Sequence, residues 1–238
     1  MISQAVTQLL DTIASRQRDL QDAYAAGAVP AHGDAEKASH AAFVLDPLSV
    51  AAPPEAYFAT RDRSGQLLFT RDGSFAMRDG TLVDSQDRPI LGYRANSSML
   101  QPLEADPIDV AFGAPAHAQI DGDGFVSYDR ATIEPRSGRT EVQQVTLGRL
   151  ALAWFPAGTR LQRTDAEHFT APEKISPKIG TPRDGTFGPV SPFVREGSRV
   201  DIDAGLDRLQ EAYVALDALR AANAARGSIQ KSAMDLLK

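Results

Sequence analysis

Hydrophobic positions change their period twice along this chain. Near the amino terminus Val6, Leu9, Ile13, Leu20 and Tyr24 recur at intervals of three, four and seven, the spacing of one helix face, with Arg16 and Gln17 interrupting the stripe. The stripe is narrow and suits a coiled-coil seam better than a buried core helix, which has a wider apolar face. "AAGAVPAHGDAE" then brings Gly27, Pro30 and Gly33, which break a helix, and an extended or mobile connection is expected through "VAAPPEA".

From Tyr57 to about Val200 the pattern becomes short apolar or alternating runs bounded by Gly, Pro, Asp and Asn, which predicts strands and tight turns. Candidate strands are "AYFAT", "LLFTR", "SFAM", "TLVD", "IDVAF", "AQIDG", "FVSYD", "VTLGRLALAWF" and "HFTAP". Helix-length periodic segments are lacking between them, which disfavours a parallel α/β layer architecture. Helical spacing returns from about Asp203 to Leu237. Leu206, Leu209, Tyr213, Leu216 and Leu219 form one stripe there, and Ile229, Ala233 and Leu236 continue it. Asp201 and Asp203 can cap its start, alanine favours helix and close approach, and Gly227 is a weak point. The expected fold is α+β: a helix over 1–26, an extended connection over 27–56, a mainly-β domain over 57–200 and a second helix over 201–238, with the two amphipathic helices pairing like a coiled coil.

"TRDGSFAMRDGTLVD", residues 70 to 84, repeats Arg-Asp-Gly at an interval of seven. Asp-Gly between alternating runs is a hairpin signal, because glycine accepts positive φ and the aspartate side chain bonds nearby amides. Asp72-Gly73 and Asp79-Gly80 are expected as turns, like Asp121-Gly122, Asp123-Gly124 and Asp184-Gly185. A calcium loop in "DGDGFVSYDR" fails on register: with Gly124 at its sixth position, Gln119 and Arg130 stand at positions one and twelve, where carboxylates are needed. His32, His40, His117 and His168 are too scattered for a zinc motif and are expected on the surface or in loops. Trp154 and Phe155 follow a near-continuous apolar run and are expected in a buried strand. No nucleophile elbow, phosphate loop or dinucleotide fingerprint occurs, so no catalytic, cofactor or metal residue is assigned and no enzyme is expected.

Composition narrows the picture further. In 238 residues, 42% are hydrophobic, enough for a packed core. The 25 basic and 31 acidic residues leave a net charge of -6 without long runs of one sign, so nucleic acid is not an expected partner. Cysteine is absent, which excludes disulfides, thiolate metal sites and cysteine nucleophiles. The amino terminus lacks a secretory-signal pattern, and no run of about eighteen apolar residues predicts membrane insertion.

Residues 57 to 92, "YFATRDRSGQLLFTRDGSFAMRDGTLVDSQDRPILG", resemble the bacterial flagellar basal-body rod and hook family at the phrase that marks the start of its β-rich domain. The matching residues are Phe58, Ala59, Gly65, Phe69, Thr70, Arg71, Gly73, Phe75, Gly80, Leu82, Val83, Leu91 and Gly92. Chain order and length look like the short proximal-rod subunits. Where the family usually carries an asparagine-rich phrase after its first helix, this chain has "DLQDAYAAGAVPAHGDAE", and "EAYVALDALRAAN" stands in for the family's C-terminal wording.

The resemblance implies a structural subunit that polymerises helically with copies of itself and other rod or hook subunits and transmits torque from motor to hook. It also implies handling by the flagellar (type III) export apparatus without a cleaved signal, a place in the periplasmic rod, and no cofactor or small-molecule substrate. Val6, Leu9, Ile13, Leu20, Leu206, Leu209, Tyr213 and Leu216 are then the expected assembly interface. Arg71 to Phe75 are expected to fix the first hairpin, with Phe75 and Leu82 inward and the arginines available to adjacent subunits. A secreted β-rich carbohydrate-binding or surface protein is the alternative class, and a hydrolase with dispersed carboxylates the next.

Overall fold

A computed structural model of the protein describes residues 2–21, 41–94, 97–111, 116–133, 140–197 and 201–235. Tyr24, Gly27, Pro30, Gly33, His32, His40 and Leu236 lie outside the described residues, as do the side chains of Gly227, Ile229 and Ala233. The elements begin with α1 (Ile2–Gln21), followed by β1 (Ala41–Phe43), β2 (Val50–Ala51), β3 (Ala56–Arg61), β4 (Leu67–Thr70), β5 (Ala76–Arg78), β6 (Thr81–Val83), β7 (Leu91–Arg94) and β8 (Leu100–Pro102). A short helix, α2 (Pro107–Ala111), precedes β9 (Ala116–Ile120), β10 (Phe125–Ile133), β11 (Thr140–Leu150), β12 (Leu152–Trp154) and β13 (Gln162–Arg163). Then come β14 (His168–Thr170), β15 (Lys178–Gly180), β16 (Ser191–Pro192), β17 (Val194–Glu196) and α3 (Ile202–Asp235). The expected α+β class holds: a mainly-β middle is flanked by two long terminal helices that pack on each other. The chain divides into two units, one holding α1 and α3 and the other every strand together with α2.

Within the β unit, a five-stranded sheet has the order β8-β7-β11-β10-β9 and a six-stranded sheet the order β13-β14-β4-β3-β12-β15. Pleating explains how the six-stranded sheet is covered on both faces. Phe58 is opposite Leu152, and both enter the main core with Leu82, Ile90, Tyr128 and Leu150. Tyr57 is opposite Ala153 and joins a separate cluster with Phe69 and Phe155. Phe58 meets Phe75 edge-on at 5.1 Å, and Phe69 meets Phe155 in the same way at 4.9 Å. Burying each such ring contributes about 2–3 kcal/mol.

Two candidate strands need correction. "IDVAF" enters α2, whose first turn is set by the Asp106 carboxylate accepting the Ile108 amide at 3.0 Å. "VTLGRLALAWF" is split at Ala151, so β11 pairs with β10 and β7 while β12 pairs with β3 and β15 in the other sheet. A continuous apolar run cannot announce that break, because both halves are buried. Residues 41–56, within the expected connection, carry β1 and β2, and Val50 is fully buried in the main core.

Asp-Gly turns divide into two kinds. Arg78 and Thr81 pair across Asp79-Gly80, whose φ values of 48° and 81° are those of a two-residue hairpin turn. Gly73 does not have positive φ. Its amide plane abuts β2: the Val50 amide donates to the Gly73 carbonyl at 2.9 Å, and a Cβ on Gly73 would overlap the Val50 carbonyl. Gly73 is therefore a place where two backbones touch, and substitution would fail there through crowding rather than through turn strain.

In the helical unit, Asp201 caps α3 by accepting the Ala204 amide at 3.0 Å. Ile13, Ala212 and Leu216 form its buried cluster, with Val6, Leu9 and Leu209 packed around them. Leu206 and Tyr213, expected on the same stripe, are 52% and 43% exposed. The inward face instead runs Gly205, Leu209, Ala212, Leu216 and Leu219, at steps of four and three. A Cβ at Gly205 would already lie 2.8 Å from Leu20 Cδ2, so the glycine lets α3 approach α1 closely there and sets which face, with Leu209, Ala212 and Leu216, turns inward.

Candidate functional site

The residues carrying the repeated Arg-Asp-Gly phrase are mostly interior. Phe58, Thr70, Leu82 and Leu91 are inaccessible, and Phe75 nearly so. Phe75 and Leu82 point inward as expected. Leu91 packs with Ala59 and Ala151, and Gly92 pairs with Leu150 and Gln101 across β7's two neighbours. Thr70 Oγ1 accepts the Asp72 amide at 3.0 Å, turning the chain as β4 ends.

The expectation that both arginines face neighbouring subunits is overturned for Arg71. Its side chain is 4% exposed and ion-paired to the equally buried Glu196 at 2.5 Å. It donates from Nε to the same carboxylate at 2.7 Å and from Nη1 to the Ala56 carbonyl at 2.6 Å, and it lies over the Tyr57 ring at 5.7 Å. So many donors placed at once make the charge tolerable away from water. Arg78 does face solvent, paired with Asp87 at 2.5 Å.

Beside this hairpin lies a second buried charged group. His168, expected at the surface or in a loop, is 1% exposed on β14. Its Nδ1 lies 2.8 Å from Asp165 Oδ1 and its Nε2 2.8 Å from Asp84 Oδ2. Burial opposes charging the ring, but the hydrogen bonds and charges of Asp165 and Asp84 outweigh it and lift His168 to about 9. Burial would raise Asp165, yet bonds from His168 and the Glu167 amide and the His168 charge hold it well below the usual carboxylate range. Asp84 Oδ1 also accepts the Gln86 and Arg88 amides at 2.8 and 2.9 Å, and Arg88 pairs with Asp165 at 2.8 Å. Burial pushes the Asp72 and Glu167 carboxyls up, and Ser85 donates to Glu167.

This arrangement fastens more readily than it reacts. A histidine held on both nitrogens by carboxylates is an imidazolium at neutral pH and has no free lone pair to activate a nucleophile. The Ser85 hydroxyl is directed to Glu167, not to His168. His117 is the opposite case, 84% exposed beside Asp129.

The terminal stripe falls into two sets. Ile13 and Leu216 are buried, while Val6, Leu9, Leu20 and Leu209 are half-buried in the α1–α3 seam. Leu206 and Tyr213 face outward with Leu10 and Val214, and the Tyr213 hydroxyl accepts from Gln17 Nε2 at 2.8 Å. Sequence reasoning missed Glu196, Asp84 and His168. The local spacing Asp165-x-x-His168 is half a signal, but nothing in the sequence points from it to Asp84.

Among the described residues no helix is long and apolar enough to cross a membrane, and no three metal-ligating side chains converge on one point. No protein-family model matches the chain, and no curated protein matches it in sequence.

Proposed function

We propose that this protein is a structural subunit of the bacterial flagellar basal-body rod, assembling helically to carry torque from motor to hook. The observation that carries the reading is the phrase from Phe58 to Gly92, lying between first and last helices that pair with each other. A helix pair whose buried apolar cluster, among the described residues, is Ile13, Ala212 and Leu216, and which leaves Leu10, Leu206, Tyr213 and Val214 in solvent, has apolar surface to give to neighbours. Contacts of that kind, repeated head to tail between copies and with other rod or hook subunits, extend into a tube rather than close into a pair. Torque is then shared over many packed side chains, while the tightly packed β unit keeps its shape under load. In this reading the chain leaves through the flagellar export apparatus without a cleaved signal and works in the periplasm.

The test is quantitative mass spectrometry of purified hook-basal bodies from cells carrying a tagged copy, beside a strain lacking the gene. Stoichiometric recovery, with truncated basal bodies in the deletion strain, is the expected result. Absence from the particle with intact rods in that strain overturns the reading.

A further inference from the structure

A cleft of about 660 Å³ opens between the β3–β4 turn and the loop joining β6 to β7. Arg61, Arg63 and Arg88 line it, with Ser64, Gln86 and the carboxylates of Asp62 and Asp87. Three guanidiniums share one cleft in a protein of net charge -6, and none of them is among the residues that carry the flagellar resemblance.

The carboxylates of the cleft are already engaged. Asp62 Oδ1 accepts the Ser64 amide at 2.9 Å, the Ser64 hydroxyl at 2.7 Å and the Gln66 amide at 2.8 Å, closing its own turn. Asp87 is paired with Arg78 at 2.5 Å. Neither Arg61 nor Arg63 has a carboxylate partner among the described residues. Arg61 Nε and Arg88 Nη1 are shielded from water without a hydrogen-bond acceptor, although Arg88 Nη2 reaches Asp165 at 2.8 Å. Shielded donors without acceptors carry a desolvation cost, which a small side-chain rotation toward an incoming anionic oxygen relieves.

The walls are held from below. Thr60 Oγ1 donates to the Pro89 carbonyl at 2.9 Å, tying β3 to the loop opposite. The Arg88 amide is anchored on Asp84 at 2.9 Å, Asp84 on His168, and His168 on the Asp165 that also holds the Arg88 guanidinium. The buried His168 group thus fixes both the loop and the arginine that borders the cleft.

We infer that this cleft binds an oxyanion group, a phosphate or a carboxylate, through Arg61 and Arg63 with Arg88 as a positioned third donor. Guanidinium is the side chain suited to either group because its planar fork gives two parallel hydrogen bonds to one ligand. The inference does not rest on the rod reading and would survive its failure.

Isothermal titration of the full chain with pyrophosphate and, separately, with citrate tests it. At least one probe is expected to bind with one-to-one stoichiometry and to weaken on added salt. Arg61→Gln and the exposed Arg63→Gln should each weaken it about tenfold or more, the loss expected for a charge-assisted bond. Arg220→Gln, exposed on α3 and absent from the cleft, should leave it unchanged. Binding of pyrophosphate alone identifies a phosphate source, of citrate alone a carboxylate source, and of both a general oxyanion site. No heat with either probe at millimolar concentration, or equal weakening in all three variants, overturns the inference.

Discussion

The two units of this chain hold themselves together by different means. In the β unit, Phe58, Leu82, Ile90, Leu91, Leu150 and Leu152 have no accessible surface at all, and both faces of the six-stranded sheet are covered. Among the described residues, the buried apolar cluster of the helical unit is Ile13, Ala212 and Leu216, and side chains as large as Leu206 and Val214 are exposed. Helices in proteins owe most of their stability to packing of an apolar face. One unit therefore carries its whole interior in its own sequence, while the other has more apolar surface than its own seam uses. Self-sufficiency in one and surplus in the other is the division of labour a building block needs.

The largest perturbation should separate the units outright. Arg71→Met strips the buried Glu196 of its guanidinium, at a cost of about 3–5 kcal/mol. Urea titration should show the Trp154 fluorescence transition moving to lower denaturant while the helical circular-dichroism transition stays in place. Adding Glu196→Leu should recover most of the loss. If both signals shift together in Arg71→Met, the units melt as one and the contrast between them fails.

A smaller, pH-dependent effect should fall on the β unit alone. His168 sits at about 9 when folded against an ordinary 6.5, so its contribution is complete below 6.5 and is lost as pH rises through 9. Asp165 runs the other way: its depressed value stabilises above the ordinary 3.8 and is lost as pH falls below it. Asp72 and Glu167, raised by burial, favour the folded state more as they take up protons and blunt the acid loss. Between neutral pH and pH above 9 the β unit should lose about 2 kcal/mol, allowing for partial solvent screening. His168→Gln should abolish that slope in the Trp154 melt. A slope that persists in the variant assigns the alkaline loss to other groups.

The finest distinction lies inside the helix pair. Leu216→Ala should cost the pair about 2 kcal/mol, the low end for a buried leucine, because the seam is thin. Leu206→Asp should change its stability by no more than about 0.5 kcal/mol, as for an exposed site. On the rod reading Leu206→Asp nevertheless removes the protein from hook-basal bodies. Normal recovery of that variant would mean the outward face is not an assembly surface.

What the sequence announced was local. The period of Val6, Leu9 and Ile13 identifies α1, and Asp79-Gly80 marks a hairpin because both residues that set the turn are adjacent. What it concealed was distant. Gly73 is required by Val50, Arg71 is claimed by Glu196, and His168 is held by Asp84, each by a residue whose position only the folded chain reveals. The seam of α3 was misread for a related reason. Apolar size points to Leu206 and Tyr213, but the nearness of Leu20 to Gly205 turns the face of Gly205, Leu209, Ala212 and Leu216 inward and those two outward. The arginine cleft was equally invisible, because its two walls stand on either side of three strands.

The ribbon of β1 and β17 shortens the distance along the chain between the two helices. Gln17 and Tyr213 stand 196 positions apart, a long loop to close in an unstructured chain. Pairing Ala41 with Glu196 brings both ends of the β unit side by side. With that pair made, the path from Gln17 to Tyr213 falls from 196 positions to about forty, which lowers the closure entropy by about 1 kcal/mol. The helices, first and last in the sequence, become near neighbours along the effective chain, and the strand-rich middle acts as the clasp that lets them meet.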